Sequence, residues 1–396
     1  MRSPILYISY DGMLEPLGQS QVLAYLERLA PAWDFCLISF EKAEDWQNKA
    51  NVEAVRERIA ASGIKWIPLA YHKSPSAPAT AYDVAVGVAV ALSIVRRHGI
   101  RIVHARSYVA ALMALAVKRI SKAKLIFDMR GFWADERVDG GLWPRDGALY
   151  RITKRLERTF LQAADHVVTL THASKREIEK FAYLQERMPP ITVIPTCADL
   201  ATFRPAETRS DGDFTLGYVG SVGTWYLLDE LLSFFKVLLT KHQGAKLLIV
   251  NKNEHDLISC AAARADIPTG RYEVISSEHR NVPNHIIRMH AGAALIKPCY
   301  SKIASAPTKL AEYLGCGVPC VGNAGVGDMD TILEGERVGV ALTEFSKTGM
   351  DAAIERLLDL VSEPGMRQRC VETANRLFSL DRGVEKYNQI YRTLSQ

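Results

Sequence analysis

A chain of 396 residues with 48% hydrophobic and 23% charged side chains is typical of a folded protein of two ordinary domains and excludes a disordered one. The net charge of +5 is uneven, with 27 basic and 21 acidic residues in 1–200 against 22 and 23 in 201–396. The longest apolar run, Val84–Val95, falls short of the roughly 20 residues that a membrane span needs. The seven cysteines show no paired metal-ligand spacing and favour a reducing, cytoplasmic location.

Strand and helix patterns alternate along the first half of the chain, which predicts a parallel, doubly wound α/β sheet. The predicted strands are Pro4–Ser9, Phe35–Phe40, Lys65–Leu69, Arg101–Ala105, Lys124–Asp128, His166–Leu170 and Ile191–Ile194. The clearest helical patterns between them are Ala79–Arg97, Val109–Ile120 and Gly147–Gln162.

Polar residues follow several of these strands, where parallel sheets bind their ligands. Gly18 and Gln19 lie in the first strand-to-helix turn, and a glycine there lets the backbone approach a phosphate. His104 lies at the end of a later strand, and Asp128 and Arg130 follow another. An internal Asp128–Arg130 pair and a structural histidine are the alternatives to ligand binding.

The segment from Arg96 to Lys124 contains basic residues and no acidic one, which favours an anionic partner such as lipid head groups or a phosphorylated acceptor. Aromatic residues are not interleaved with the basic ones, which argues against nucleic acid. A solvated basic face is the alternative. The basic residues are Arg96, Arg97, Arg101, Arg106, Lys118, Arg119, Lys122 and Lys124.

A second alternation begins after residue 213 and predicts a second sheet. Its predicted strands are Thr215–Gly220, Lys246–Val250, Tyr272–Ile275, Ala293–Ile296 and Val318–Val321. Gly220 and Ser221 begin a glycine-rich turn whose backbone can approach a phosphate. No basic residue lies between Phe214 and Lys236, so the positive charge for a phosphate must come from elsewhere.

The stretch Lys297–Val321 is the most informative of the chain. Pro307 is predicted to begin a helix that Ser305 caps. The positive end of this helix dipole, together with Lys309, would face an anion. Glu312 lies one turn further on, where a carboxylate can accept two ribose hydroxyls, so the layout suits a nucleotide sugar. An ordinary helix start is the alternative. The predicted substrate-binding residues here are Ser305, Pro307, Thr308, Lys309, Leu310 and Glu312.

The segment Pro307–Pro319 resembles the donor-site signature of the family-4 retaining glycosyltransferases, particularly the bacterial polysaccharide and glycan enzymes. The resemblance implies the GT-B fold, in which two Rossmann-like domains face each other across a cleft. It implies an acceptor-side domain over residues 1–198, a donor domain over 199–377, and a terminal helix over 378–396 that packs back on the first domain. In that family the glutamate matching Glu312 binds the ribose.

The sequence departs from the family pattern at two places. Many members carry a glutamate at the position of Ala304, and many place an arginine and a lysine near the turn matching Gly220. Lys309, with Lys297 or Lys302, is the predicted substitute for that basic pair.

The resemblance implies a hexosyltransferase that moves a sugar from a nucleoside-diphosphate sugar to a hydroxyl of a lipid-linked or polysaccharide acceptor, with retention. No Asp-x-Asp cluster of the sort that holds a metal diphosphate is identified, so neither a metal nor another cofactor is expected beyond the donor. Asp128, Arg130 and Lys309 are the predicted catalytic residues, with Asp128 orienting a sugar hydroxyl or supporting positive charge.

The expected partners are a nucleotide sugar, a glycan or lipid-linked acceptor and an anionic membrane surface, so the protein would be cytoplasmic and peripheral at the inner membrane face. Two other classes of function remain open. One is a sugar-nucleotide epimerase or phosphorylase of the same fold, and the other is a non-catalytic two-lobed binding protein. Donor sugar, base and acceptor are not specified by the sequence.

Overall fold

The computed structural model describes residues 2–207 and 212–396. Two compact units are present, the first formed by Met1–Ile194 with Gly383–Gln396 and the second by Pro195–Arg382. Each unit is built on its own parallel sheet, with helices in the connections between successive strands.

In the described part of unit 1 the sheet has seven strands in the order β3-β2-β1-β4-β5-β6-β7, all parallel. The strands are β1 (Pro4–Ser9), β2 (Asp34–Glu41), β3 (Lys65–Ala70), β4 (Ile102–Arg106), β5 (Lys124–Asp128), β6 (His166–Thr169) and β7 (Ile191–Val193). The helices are α1 (Pro16–Gly18), α2 (Ala24–Leu29), α3 (Lys49–Ala61), α4 (Ser76–His98), α5 (Ser107–Ser121), α6 (Trp133–Asp139), α7 (Ala148–Ala163), α8 (His172–Glu179) and the last helix of the chain. The central strands are buried along nearly their whole length, as expected where helices cover both faces of a sheet.

In unit 2, over its described residues, the sheet has six parallel strands in the order β10-β9-β8-β11-β12-β13. The strands are β8 (Thr215–Val219), β9 (Lys246–Val250), β10 (Tyr272–Ile275), β11 (Ala291–Ala294), β12 (Cys320–Asn323) and β13 (Gly339–Leu342). The helices are α9 (Leu228–Lys241), α10 (His255–Arg264), α11 (Val282–Ile286), α12 (Thr308–Gly315), α13 (Met329–Gly335), α14 (Lys347–Ser362) and α15 (Met366–Leu377), followed by α16 (Leu380–Ser395), most of which belongs to unit 1.

The prediction of two parallel, doubly wound sheets is confirmed, and differences lie in single elements. Strand β13 was missed because its four residues, Gly339–Leu342, are too few to show a period in the sequence. Strand β11 begins and ends two residues earlier than predicted, because Leu295 and Ile296 are buried but already leave the ladder. The side chain of Asn323 instead binds both backbone groups of Ile296.

The apolar part of helix α4 is longer than the run Val84–Val95 suggested. Its segment Ala77–His98 has 22 residues, and the most apolar 18-residue window within it has a mean hydropathy of 1.7. By length and composition this would suffice for a membrane span, although 33% of that window is buried. In the structure α4 packs against α5 and the strands β1 and β2, so it belongs to the helical layer of unit 1.

Candidate functional site

The turn after β8 is fixed by hydrogen bonds to side chains that follow the neighbouring strand β9. Gly220 has a φ of +115°, a backbone conformation that glycine adopts without strain. Asn251 Nδ2 donates to the Gly220 carbonyl at 3.0 Å, and Glu254 accepts a hydrogen bond from the Val222 backbone N–H at 3.0 Å. The sequence reasoning missed Asn251 and Glu254, although both follow a predicted strand.

The helix that the sequence singled out begins one residue later than predicted. Helix α12 starts at Thr308, and Pro307 occupies the cap position without a side-chain hydrogen bond. The prediction that Ser305 caps this helix is therefore wrong, because Ser305 lies two residues before the cap in extended backbone. Leu310 is buried and anchors the helix in the core of unit 2.

Tyr313 fixes α12 to the sheet. Its hydroxyl accepts from the Val219 backbone N–H at 2.9 Å and donates to the Ala293 carbonyl at 3.3 Å. The ring lies over Gly292, where an added Cβ would come within 2.5 Å of it. Helix α12 and the end of β8 are thus held together by one side chain.

Lys309 is buried between two aromatic rings. Its Nζ lies 3.9 Å from the centre of the Tyr218 ring and 4.1 Å from that of Tyr226. Within the described residues this nitrogen has no hydrogen-bond acceptor. Burial lowers the pKa of Lys309 to about 7, an effect that the nearby Glu312 opposes. A Cβ built on Gly220 would lie 3.5 Å from Nζ, so the lysine and the glycine turn are neighbours.

Glu312 is buried on the next turn of α12 and is bound to a histidine that the sequence reasoning missed. Its Oε1 lies 3.1 Å from His279 Nε2. The hydrogen bond to Glu312 raises the pKa of His279, while burial opposes it. His279 follows strand β10, and a histidine in a loop beyond a parallel strand was the available signal.

The sequence also marked Lys297, Lys302 and Ala304 near this turn, and they differ in burial. Lys302 is buried with its Nζ 3.8 Å from the centre of the Trp225 ring, whereas Lys297 is exposed. Ala304 is 1% exposed, so the position that carries a glutamate in many family-4 enzymes is filled by a methyl group in the core. The two buried lysines, Lys302 and Lys309, therefore each lie over aromatic rings of the segment 218–226 that contains the Gly220 turn.

In unit 1, Asp128 is the centre of a buried polar cluster. The Tyr387 hydroxyl donates to Asp128 Oδ2 at 2.8 Å. The closest nitrogens of Arg106, Arg130 and His104 lie 3.9, 3.8 and 3.7 Å from the carboxylate oxygens. Burial alone would raise the pKa of Asp128, but Arg130, His104 and Arg106 outweigh it and lower the pKa to about 2.

The cluster shows the internal Asp128–Arg130 pair that the sequence left as an alternative. Asp128 and His104 are both fully buried, so their contact with a ligand stays a prediction. No histidine adjoins Asp128 in the sequence, yet β4 and β5 bring His104 beside it. Such a pair between neighbouring strands is not visible in either segment alone.

The first strand-to-helix turn is fixed by a buried carboxylate that the sequence did not reveal. Glu41 accepts from the backbone N–H groups of Met13 and Leu14 at 2.8 and 3.0 Å. Gly18 packs so tightly on this loop that an added Cβ would lie 1.9 Å from the Gly12 carbonyl oxygen. Gln19 begins a π-helical turn over Gln19–Leu23, a feature often found near functional sites.

The basic segment of unit 1, residues 96–124, contains no acidic residue, but in the structure two of its lysines lie beside a carboxylate from another segment. Lys118 donates to Asp165, and Lys124 Nζ lies 3.7 Å from the same carboxylate. Arg106 is buried in the Asp128 cluster. The exposed basic residues are Arg96, Arg97, Arg101, Arg119, Lys122 and Lys124. Among the described residues no group of three or more metal-ligating side chains is assembled.

Both halves of the chain match glycosyltransferase family models. Residues 18–197 match the glycosyl transferase 4-like domain, and residues 200–377 match the glycosyl transferases group 1. Comparison with curated proteins gives no match.

Solved structures similar to the whole chain include sucrose-phosphate synthase from Thermosynechococcus elongatus, with a TM-score of 0.74, 14% identity and 99% of each chain covered. The Anabaena protein HepE in complex with UDP and glucose gives a TM-score of 0.66, 14% identity and 99% coverage of each chain. The lipopolysaccharide outer core galactosyltransferase WaaB gives 0.67 and 14%, over 98% of this chain and 99% of that one. At such identities the likeness shows the fold, which confirms the predicted GT-B class.

Two consecutive domain matches span residues 18–197 and 200–377, and both sheets have the expected topology. The chain therefore belongs to the family-4-like glycosyltransferases of GT-B fold.

Proposed function

We propose that the protein transfers a hexose from a nucleoside-diphosphate sugar to a hydroxyl of a lipid-linked or polysaccharide acceptor, with retention and without a metal. The observation that carries the donor assignment is the meeting of three features in unit 2. The Gly220 turn, the unpaired ammonium group of Lys309 and the carboxylate of Glu312 all lie around the start of α12.

Each feature meets a different part of the donor. The Ser221 backbone and the first turn of α12 at Thr308 offer N–H groups and a positive dipole end to the diphosphate. Gly220, whose own N–H donates to the Val250 carbonyl at 2.9 Å, lets the phosphate come close. Lys309 adds a full charge there, and Glu312 accepts hydroxyl protons of the ribose. HepE was solved with UDP and glucose, which supports a nucleotide sugar for this chain as well.

The stereochemistry of the proposed transfer comes from the resemblance to the family-4 retaining enzymes, and the charge stabilisation comes from this arrangement. The bond between the anomeric carbon and the diphosphate oxygen breaks, and the acceptor hydroxyl oxygen forms the new bond on the same face. The acceptor proton passes to the departing diphosphate, whose growing negative charge the Lys309 ammonium and the α12 dipole stabilise. Arg130 and Asp128 in unit 1 are proposed to support the sugar or acceptor, Asp128 through Arg130.

The proposal is tested by thermal shift with a panel of UDP-, GDP- and ADP-sugars, followed by detection of nucleotide release. We expect at least one nucleotide sugar to raise the melting temperature and its nucleoside diphosphate to be released with formation of a glycoside. The same assays on Lys309→Ala test the role of the buried lysine. Lys252→Ala, which alters an exposed lysine beyond strand β9, is the matched control. A protein that binds nucleotide sugar but never releases nucleotide would instead be the non-catalytic binding protein.

A further inference from the structure

A group of polar side chains outside the Asp128 cluster lies at the edge of the unit 1 sheet, after strand β3. Asp83, on helix α4, is 1% exposed. Its carboxylate accepts from the His72 backbone N–H at 3.1 Å and from the Tyr10 hydroxyl at 2.8 Å, and it lies 2.6 Å from His72 Nδ1. The Thr80 hydroxyl in turn donates to Tyr10. The buried acid is therefore held by partners from two connections of the fold, the one after β1 and the one after β3.

This arrangement fixes the tautomer of His72. An ionised carboxylate can only accept hydrogen bonds, so Nδ1 of the imidazole carries the proton. In the neutral ring Nε2 is then an acceptor with a free lone pair. The side chain of His72 is 46% exposed, whereas that of Asp83 is 1% exposed. A buried carboxylate thus orients an accessible imidazole, an arrangement that enzymes use to bind or activate hydroxyl groups.

An exposed aromatic ring lies beside the imidazole. Tyr82 is 60% exposed, and its ring meets His72 edge to face with centres 5.2 Å apart. A large exposed aromatic side chain next to a fixed polar acceptor suits a hydroxylated ring, whose C–H face packs on the aromatic while its hydroxyls bind the polar group.

We propose that His72, Asp83 and Tyr82 form a subsite for the acceptor glycan. His72 Nε2 accepts a hydrogen bond from a sugar hydroxyl, Tyr82 packs on the sugar ring, and Asp83 is the positioning residue that holds the imidazole. This inference rests on the proposed function, because an acceptor subsite has meaning only for a sugar transferase. The family resemblance already implies an acceptor-side first domain, and the proposal adds three residues that no sequence motif marked.

Two substitutions distinguish a sugar contact of His72 from a purely structural role. In His72→Asn the amide nitrogen takes the place of Nδ1 and can still donate to Asp83, but the outer acceptor is lost. In His72→Gln the amide reaches the place of Nε2, while the bond to Asp83 is lost. A structural tie is preserved by Asn, and a sugar contact is preserved in part by Gln.

The test measures binding of α- and β-linked p-nitrophenyl hexosides and N-acetylhexosaminides to the full-length protein by ligand-observed saturation-transfer NMR. The histidine ring resonances are recorded in parallel, and that of His72 is assigned from its absence in the variants. We expect a saturable shift at His72 with at least one glycoside. We also expect the dissociation constant of the glycoside to be about tenfold higher in His72→Asn and Tyr82→Ala, with a smaller rise in His72→Gln. It should not change in His98→Ala, which alters an exposed histidine at the other end of helix α4 from Tyr82.

Equal affinities of wild type and His72→Asn, or no response of His72 to any glycoside of the panel, would overturn the subsite. Nucleotide binding is followed separately by thermal shift with UDP and GDP. If nucleotide binds normally and His72 does not respond, only the acceptor subsite fails. If no nucleotide binds, the proposed function itself fails.

Discussion

The ammonium group of Lys309 lies 3.9 Å from the centre of the Tyr218 ring and has no hydrogen-bond acceptor among the residues described. An unpaired buried charge destabilises a fold unless something compensates it, and an aromatic face compensates only in part. A bound anion would compensate this buried charge, and two predictions follow from that.

Replacing Lys309 with methionine should stabilise the unliganded protein and weaken nucleotide binding. Methionine fills a similar volume without burying a charge, so the gain should be roughly 1–3 kcal/mol. Affinity for UDP should fall far more than affinity for uridine, because only UDP carries the diphosphate. Chemical unfolding and calorimetry measure the two effects, with Lys252→Met as the exposed control. Equal losses for both ligands would assign Lys309 to structure.

Binding of UDP should take up protons above about pH 7. The pKa of Lys309 is lowered to about 7 in the free protein, so the ammonium is partly neutral at pH 8. A bound diphosphate favours the charged form and raises the pKa, and the difference appears as proton uptake. Calorimetry in buffers of different ionisation enthalpy measures it. The uptake should vanish in Lys309→Met, and affinity should decline as the pH rises above 7.

Glu312→Gln should weaken UDP and GDP alike, because the ribose is common to both. The loss of a charged hydrogen-bond acceptor is worth roughly 1.5–3 kcal/mol. Wild type should bind 2′- or 3′-deoxy-UDP more weakly than UDP, and Glu312→Gln should no longer distinguish them. The pKa of His279 should also fall, since Glu312 raises it. Undiminished discrimination between UDP and both deoxy analogues in the variant would show that Glu312 does not contact the ribose.

Asp128→Asn should destabilise unit 1 at neutral pH and have little effect in acid. The folded-state pKa of about 2 is below the ordinary 3.8, so the ionised carboxylate stabilises the fold above about pH 4 and this contribution is lost between pH 4 and 2. The shift corresponds to roughly 2 kcal/mol. Urea unfolding at pH 7 and pH 3 compares the variant with Asp229→Asn, an exposed control in unit 2. A difference that does not shrink in acid would contradict the charge-based explanation.

The exposed basic residues of unit 1 should bind anionic membranes. Lys118 and Lys124 pair with Asp165, so the informative variant changes Arg96, Arg97, Arg119 and Lys122 to serine. Each charge near an anionic surface is worth about 1 kcal/mol and is screened by salt. Flotation with phosphatidylglycerol vesicles should fall in this variant.

Flotation should not fall when Lys236, Lys252, Arg264 and Lys347 of unit 2 are changed to serine, which removes the same charge. Nucleotide binding should survive both sets of changes. Equal flotation of the unit 1 variant and wild type would leave this face a solvated surface.

The sequence predicted the periodic parts of the fold well and the contacts between distant segments poorly. The seven strands of unit 1 were visible because buried parallel strands are continuous apolar runs bounded by turns. Strand β13 was too short for that signal. The start of α12 was misplaced by one residue because proline fits both the cap and the first turn.

For the candidate site, a local motif marked Lys309 and Glu312, but not their partners. His279 and Tyr226 come from other strand connections and Tyr218 from strand β8, and only the folded sheet brings them to α12. Burial also cannot be read from a motif, so the shifted pKa of Lys309 was unforeseen. The same holds for His72 and Asp83, which no spacing connects to a ligand.

The hydroxyls of Tyr387 and Tyr391 on helix α16 form hydrogen bonds with Asp128 Oδ2 and His104 Nδ1. Both tyrosines belong to the last segment of the chain, Gly383–Gln396, which is part of unit 1. During synthesis on the ribosome, unit 1 therefore cannot finish its core until all of unit 2 has been translated. A fragment ending at Ile194 lacks these partners and is a poor choice for expressing unit 1 alone, whereas a circularly permuted chain that joins residue 396 to the first strand would keep them.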